Sequence, residues 1–228
     1  MGYSIKGSGR FSAGAFQSYP PNNQLIKNLL FDLGGVIIDI KRQDCVDAFE
    51  AIGLKNADSY FGLYSQEGIF KAIEDGSLDV DGFHRAMHEK LPADVTDSQI
   101  DDAFQRFITG IPVRRLEALR RLRDKGYRLY LLSNTNPAMW NDIIAKEFRK
   151  EGREREDYFD GIVTSFTAKA LKPSPEIFEY TCRTLGIRPE ETLFFDDSAA
   201  NTRAAAALGF ATATVEPGTE FTDYLPAE

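Results

Sequence analysis

The stretch Leu29-Leu30-Phe31-Asp32-Leu33-Gly34-Gly35-Val36-Ile37-Ile38 decides the fold. Leu29 to Leu33 is almost unbroken apolar sequence, and Val36 to Ile38 resumes it after two glycines. A short continuous apolar run reads as a strand buried on both faces, as in a parallel sheet covered by helices. A single charge, Asp32, stands near its carboxyl end. The glycine pair marks a bend where backbone must approach something closely.

Outward from this stretch, similar runs recur at Leu129 to Leu132, Ile162 to Val163, Leu193 to Phe195 and, more weakly, Ala211 to Val215. Helical patterns separate them. Val113, Leu116, Leu119 and Leu122 form one stripe, closed by Lys125 and Gly126. Pro175 to Leu185 forms a second, closed by Gly186, and the Ala-rich segment Ser198 to Leu208 ends at Gly209. This rhythm predicts right-handed βαβ units in an α/β fold with a doubly wound parallel sheet. Between Ile40 and Gly110 the rhythm breaks. No convincing strand is visible there, whereas Val80, Phe83, Met87 and Leu91, and then Ile100, Phe104 and Phe107, lie at helical spacing. Residues 43–110 are therefore expected to form a helical insertion, 25–42 and 111–228 the core, and 1–24 a flexible leader ended by Pro20 and Pro21.

The 228 residues suffice for one core domain with a modest insertion. A formal charge of -8 argues against sequence-independent binding to nucleic acid or to an anionic membrane. It leaves an anionic small molecule open, because a bound cation inverts the sign of a pocket. Cys45 and Cys182 are too few and too far apart for a disulfide framework, and Cys182 falls on an apolar helical stripe. No apolar stretch reaches spanning length, and the leader lacks the apolar segment of a secretory signal. The expected location is the cytoplasm.

Three places at strand ends carry chemistry: Asp32; Ser133 followed by Asn134 and Thr135; and the pair Asp196-Asp197. In an open α/β sheet the carboxyl ends of the strands share one edge, so these residues are expected to converge. Carboxylates gathered on a buried edge repel one another and resist ionisation. A hard divalent cation such as Mg²⁺ resolves this. Lys172, set in Leu171-Lys172-Pro173-Ser174-Pro175 just before a helix, is held by two prolines, where a fixed ammonium could offset charge and orient a nucleophile.

Together, Phe31-Asp32-Leu33-Gly34-Gly35-Val36, Leu131-Leu132-Ser133-Asn134-Thr135, Lys172-Pro173-Ser174-Pro175 and Phe194-Phe195-Asp196-Asp197-Ser198 resemble, in order and spacing, the four motifs of the haloacid dehalogenase superfamily. The helical insertion resembles that superfamily's C1-type cap over a Rossmann-like core. The resemblance implies a Mg²⁺-dependent phosphatase of a small phosphorylated metabolite, with sugar phosphates as the expected substrates. By it, Asp32 is the nucleophile and is converted to an aspartyl-phosphate. Mg²⁺ is held by Asp32, the Gly34 backbone oxygen and Asp197, with Asp196 reaching it directly or through water. Ser133 and the Asn134 N–H hold phosphate oxygens, and Lys172 neutralises charge.

One departure stands out. Most phosphatases of the superfamily carry a second Asp two residues after the nucleophile as general acid and base, and this chain has Gly34. Positioned proton transfer contributes roughly 10²- to 10⁴-fold. The sequence resembles the sugar-1-phosphate phosphatase subgroup whose first motif also reads Asp-Leu-Gly, which implies a substrate whose leaving oxygen needs little protonation. Asp39 as a substitute acid, a ligand-binding protein without turnover, a phosphotransferase or mutase, and a dehalogenase remain alternatives, the acidic pair counting against the last. His84 and His88 read as cap surface rather than metal ligands. Arg114, Arg115, Arg120, Arg121 and Arg123 read as the solvated face of a helix. Tyr64, Phe70 and Lys71 are candidate cap residues facing substrate.

Overall fold

The computed structural model describes residues 26–62 and 66–225, together with the backbone of Gln17–Ser18. The chain begins with β1 (Gln17–Ser18) and β2 (Asn28–Phe31) and passes through β3 (Asp39–Ile40) into the cap helices. These are α1 (Arg42–Ala51), α2 (Gly68–Glu74), α3 (Val80–His88) and α4 (Asp97–Gln105), after which β4 (Ile108–Gly110) leads back. The core continues with α5 (Val113–Asp124), β5 (Arg128–Ser133), α6 (Pro137–Asn141), α7 (Ile143–Phe148), α8 (Arg155–Tyr158) and β6 (Gly161–Thr164). It ends with α9 (Ser165–Ala168), α10 (Pro175–Leu185), β7 (Thr192–Asp196), α11 (Ala199–Ala207) and β8 (Ala211–Thr214).

The main sheet has the order β1-β8-β7-β2-β5-β6. All neighbours are parallel except β1, which pairs antiparallel with β8. The chain runs outward from β2 to β5 and β6, then returns to β7 on the other side of β2. Strand order therefore reverses between β2 and β7, and the crevice at the carboxyl ends opens at that switch point. Leu29, Phe31, Leu131 and Phe195 enter the core on one face, and Leu30, Leu132 and Phe194 the core on the other. Burial on both faces is why these strands read as continuous apolar runs.

The structure departs from the sequence reading in several places. The first apolar run is not one strand: it ends at Phe31, and Ile37 and Ile38 donate their N–H groups to the Leu33 carbonyl at 2.9 and 2.8 Å. Gly35, at φ 70°, takes the chain out of extended geometry. Val36 to Ile38 are buried as a folded turn. The stretch expected to hold no strand contains β4, whose Ile108 pairs with Ile40 of β3. The chain leaves the core for the cap and returns to it through this ribbon. Within the leader, Gln17 pairs with Ala213, and the rest of residues 1–24 lies outside the described residues.

The cap holds an aromatic core of Phe49, Phe61, Phe70, Phe83 and Phe104, with neighbouring ring centroids 4.5 to 6.3 Å apart. His84 and His88 tie α3 to α4, bonding Asp101 at 2.9 Å and Asp97 at 2.7 Å. The arginines of α5 are not uniformly solvated. Arg115 is buried and bridges Asp39 and Glu220, each at 2.7 Å. The guanidinium thus clamps the start of the cap ribbon to the C-terminal segment. Cys45 is buried, Cys182 half-buried, and both are free thiols.

Candidate active site

Asp32 is the first residue beyond β2, and its N–H still reaches across to the Phe195 carbonyl of β7 at 2.8 Å. Asp196 closes β7, Asp197 follows it, and Ser133 closes β5. Register brings these ends level, with Phe31 opposite both Leu131 and Phe195. Lys172, just ahead of α10, enters beneath them. Its Nζ lies 2.7 Å from Asp32 Oδ1 and 2.7 Å from Asp196 Oδ2, and donates to the Leu132 carbonyl at 3.1 Å. Asn134 fixes the loop that carries it: the Asn134 side chain donates to the Lys172 carbonyl at 3.1 Å and accepts from the Lys172 N–H at 3.0 Å.

Asp196 is fully buried and saturated by protein donors. Oδ1 accepts from the Ser198 N–H at 2.8 Å and from Asn201 at 3.0 Å, while Oδ2 takes Lys172. These bonds tie it to the lysine and to the turn into α11. Burial works against the charge of Lys172, but Asp196 and Asp32 outweigh it and hold its pKa above the usual range. Asp32 is pushed up to about 8, chiefly by burial; Lys172 opposes this, while Asp196 and Asp197 add to it. Asp197 rises to about 6, again through burial and then through Asp196. Three carboxylates with one lysine leave the site short of positive charge.

That shortfall fits a hard divalent cation. Candidate ligand oxygens of Asp32, Asp196 and Asp197 lie within 4.8 Å of one another, and all-oxygen donors suit Mg²⁺. Gly35 makes this possible. A Cβ there would fall inside contact distance of Asp197 Oδ2 and only 2.7 Å from its Cγ. Gly34 differs: its Cβ would meet only the Ile40 side chain, at 3.6 Å.

Asp32, Gly34, Asn134, Lys172 and Asp197 line one cavity. Ser133 does not line it; buried, its hydroxyl donates to the Asn134 carbonyl at 3.3 Å. Asp39 does not line it either, being paired with Arg115. The remaining lining residues went unread in the sequence: Asn201 from α11, Ile40 from the ribbon, and Gln66, Glu74 and Phe107 from the cap side. Of the cap candidates, Phe70 packs in the cap core and Lys71 is exposed, while Tyr64 lies outside the described residues. Glu74 could have been found. It sits four residues after Phe70 and one after Ile73, on the buried stripe of α2, where a carboxylate is out of place. Burial, with the Asp75 charge second, pushes its carboxyl up to about 8.

An α/β hydrolase with its acidic cluster at the switch point and a helical cap above it is the class defined by fold and site. The model of the haloacid dehalogenase-like hydrolase family matches residues 26–209, and the chain belongs to that family. It is 38% identical over 197 residues to a D-ribitol-5-phosphate phosphatase of Bacteroides thetaiotaomicron, covering 86% of this chain and 95% of the relative. A crystal structure of a family enzyme from the same organism, in complex with magnesium and inorganic phosphate, superposes with a TM-score of 0.82 at 39% identity, over 88% of this chain and 100% of that one. A second solved structure, a HAD-like family hydrolase from Porphyromonas gingivalis, gives 0.81 at 32% identity over 90% of this chain and 100% of that one. Among the described residues, no helix is long and apolar enough to cross a membrane.

Proposed function

We propose that the chain is a Mg²⁺-dependent phosphatase of a small sugar or sugar-alcohol phosphate, with Asp32 as nucleophile. The observation that carries this reading is the convergence of Asp32, Asp197 and Lys172 on one cavity, with Asp196 locked beneath them. Asp32, Asp197 and the Gly34 backbone are the groups that would hold the ion. Bound there, Mg²⁺ supplies Lewis-acid charge and restores Asp32 to its ionised form. Lys172 donates to Asp32 Oδ1, which leaves the other carboxylate oxygen to attack phosphorus. Asn134, at the cavity wall, offers a polar contact for the phosphoryl oxygens.

The likeness to a phosphatase of D-ribitol 5-phosphate supports a polyol or sugar substrate. That compound is a primary alkyl phosphate, whose leaving alkoxide needs a proton, so a substrate of this kind calls for an acid other than the residue at 34. A net charge of -8 and two free cysteines support a cytoplasmic enzyme of small metabolites that does not act on nucleic acids or membranes. A panel of phosphometabolites, assayed with Mg²⁺ and with chelator, checks this. The expected outcome is Mg²⁺-dependent phosphate release from sugar-alcohol or sugar phosphates, abolished in Asp32→Asn. Ligand-dependent thermal shifts without any turnover would favour a binding protein instead.

A further inference from the structure

Phosphoryl transfer leaves the attacking and departing oxygens roughly in line across phosphorus. With Asp32 attacking from the sheet edge, the departing oxygen points away from it, toward the cap side of the cavity. Three carboxylates line that cavity. Asp32 and Asp197 belong to the acidic cluster, which leaves Glu74. Its helix is anchored over the sheet edge, where Ser165 Oγ donates to the Glu74 carbonyl at 2.7 Å. Among the described residues, nothing bonds its carboxyl group.

Gln66, also on the cap side, is a second unsatisfied group. It is 8% exposed, lines the same cavity, and its Oε1 has no hydrogen-bond partner. Buried polar groups are rarely left unpaired, so this wall of the cavity is built for a polar ligand. A hydroxylated leaving group fits it.

We propose that Glu74 is the catalytic acid and base of this enzyme, delivered by the cap in place of the side chain that Gly34 lacks. The inference rests on the phosphatase reading given above. In the first half-reaction an Asp32 carboxylate oxygen bonds to phosphorus and the ester P–O bond breaks. The departing oxygen keeps that electron pair and takes the proton of Glu74. In the second, water attacks phosphorus and yields a proton to the Glu74 carboxylate. The bond from phosphorus to Asp32 then breaks, and its electron pair returns to the carboxylate. Burial of Glu74 favours the neutral acid with which this cycle starts.

The experiment compares wild type, Glu74→Gln and the double variant Glu74→Gln with Gly34→Asp. Substrates are p-nitrophenyl phosphate, whose phenolate leaves unaided, and D-ribitol 5-phosphate, whose alkoxide does not. Glu74→Gln should lower kcat on the alkyl ester by roughly 10²- to 10⁴-fold and change the aryl ester less than tenfold. The double variant should recover at least tenfold on the alkyl ester, since a Cβ at 34 would make only ordinary contact with Ile40. Equal losses on both substrates, or a rise in KM alone, would overturn the acid–base role. So would a wild type that hydrolyses the aryl ester with Mg²⁺ but no alkyl phosphate. A wild type inert toward both would sink the phosphatase reading itself, and this proposal with it. Matching thermal melts of the variants separate chemistry from misfolding.

Discussion

Gly35→Ala isolates how the backbone places a metal ligand. Gly35 and Gly186 both sit in the left-handed region, at φ 70° and 65°. An alanine at either position bears the left-handed backbone cost of about 1–2 kcal/mol. Beyond that the two positions part. At Gly186 a Cβ would meet nothing within 4 Å, whereas at Gly35 it would overlap the Asp197 carboxylate, 2.7 Å from Cγ and 3.1 Å from Cβ. Either the turn after β2 shifts or Asp197 swings away, and both moves pull Asp197 out of register with Asp32. Disturbing groups that orient a metal ligand typically costs 10- to 100-fold in affinity, which is about 1.4–2.8 kcal/mol. Titration of Mg²⁺ by calorimetry, with urea unfolding in chelator, reads both quantities. Without metal Gly35→Ala should lose at least as much stability as Gly186→Ala, and only Gly35→Ala should weaken Mg²⁺ binding by that factor. Equal Mg²⁺ affinities for the two alanines would refute the claim that Gly35 exists to admit Asp197.

Lys172→Met leaves Asp32 and Asp196 buried without their partner, and should cost about 3–5 kcal/mol in chelator by urea unfolding. Wild type should gain about 2.7 kcal/mol at a Mg²⁺ concentration 100 times its dissociation constant, a rise in melting temperature that Asp197→Asn should largely lose. Glu74 should give stability a pH dependence of defined sign. Its acid form persists in the folded chain to about pH 8 but ionises near the ordinary 4.5 when unfolded. Between those values the folded state holds the extra proton, so stability falls as pH rises, by up to about 1.4 kcal/mol per pH unit. The difference between wild type and Glu74→Gln in chelator cancels the parallel contributions of Asp32 and Asp197. Its absence across pH 5 to 8 would mean that Glu74 is solvated and ionised.

What the sequence made legible follows from what each residue depends on. Asp32, Asp196 and Asp197 depend only on being at the ends of parallel strands, and those strands announce themselves by apolar runs that both sheet faces bury. The β3–β4 ribbon depends on pairing Ile40 with Ile108, across the whole cap, in strands too short to show a period. Arg115 looked solvated because it sits among arginines interleaved with leucines. Its burial depends on Glu220, at the far end of the chain, and on Asp39. The buried stripe of α2 marks Glu74 as out of place, but that it and Gln66 line the cavity depends on how the cap is set against the core, which no local pattern encodes.

The two carboxylates considered as replacements for a missing acid show why this placement decides the chemistry. Asp39 is close to Asp32 in sequence, yet it is half-exposed, pairs with Arg115 at 2.7 Å and does not line the cavity. Glu74 is forty-two positions from the nucleophile, but its burial without a cationic partner favours the protonated form that a departing oxygen needs. A proton donor on the cap divides the chemistry between two elements. The nucleophile and the lysine belong to the sheet edge, and the acid belongs to a cap helix that Ser165 ties to that edge. Glu74 and Gln66 line the same cavity as Asp32, so the cap residues that meet the leaving group include the one that would protonate it.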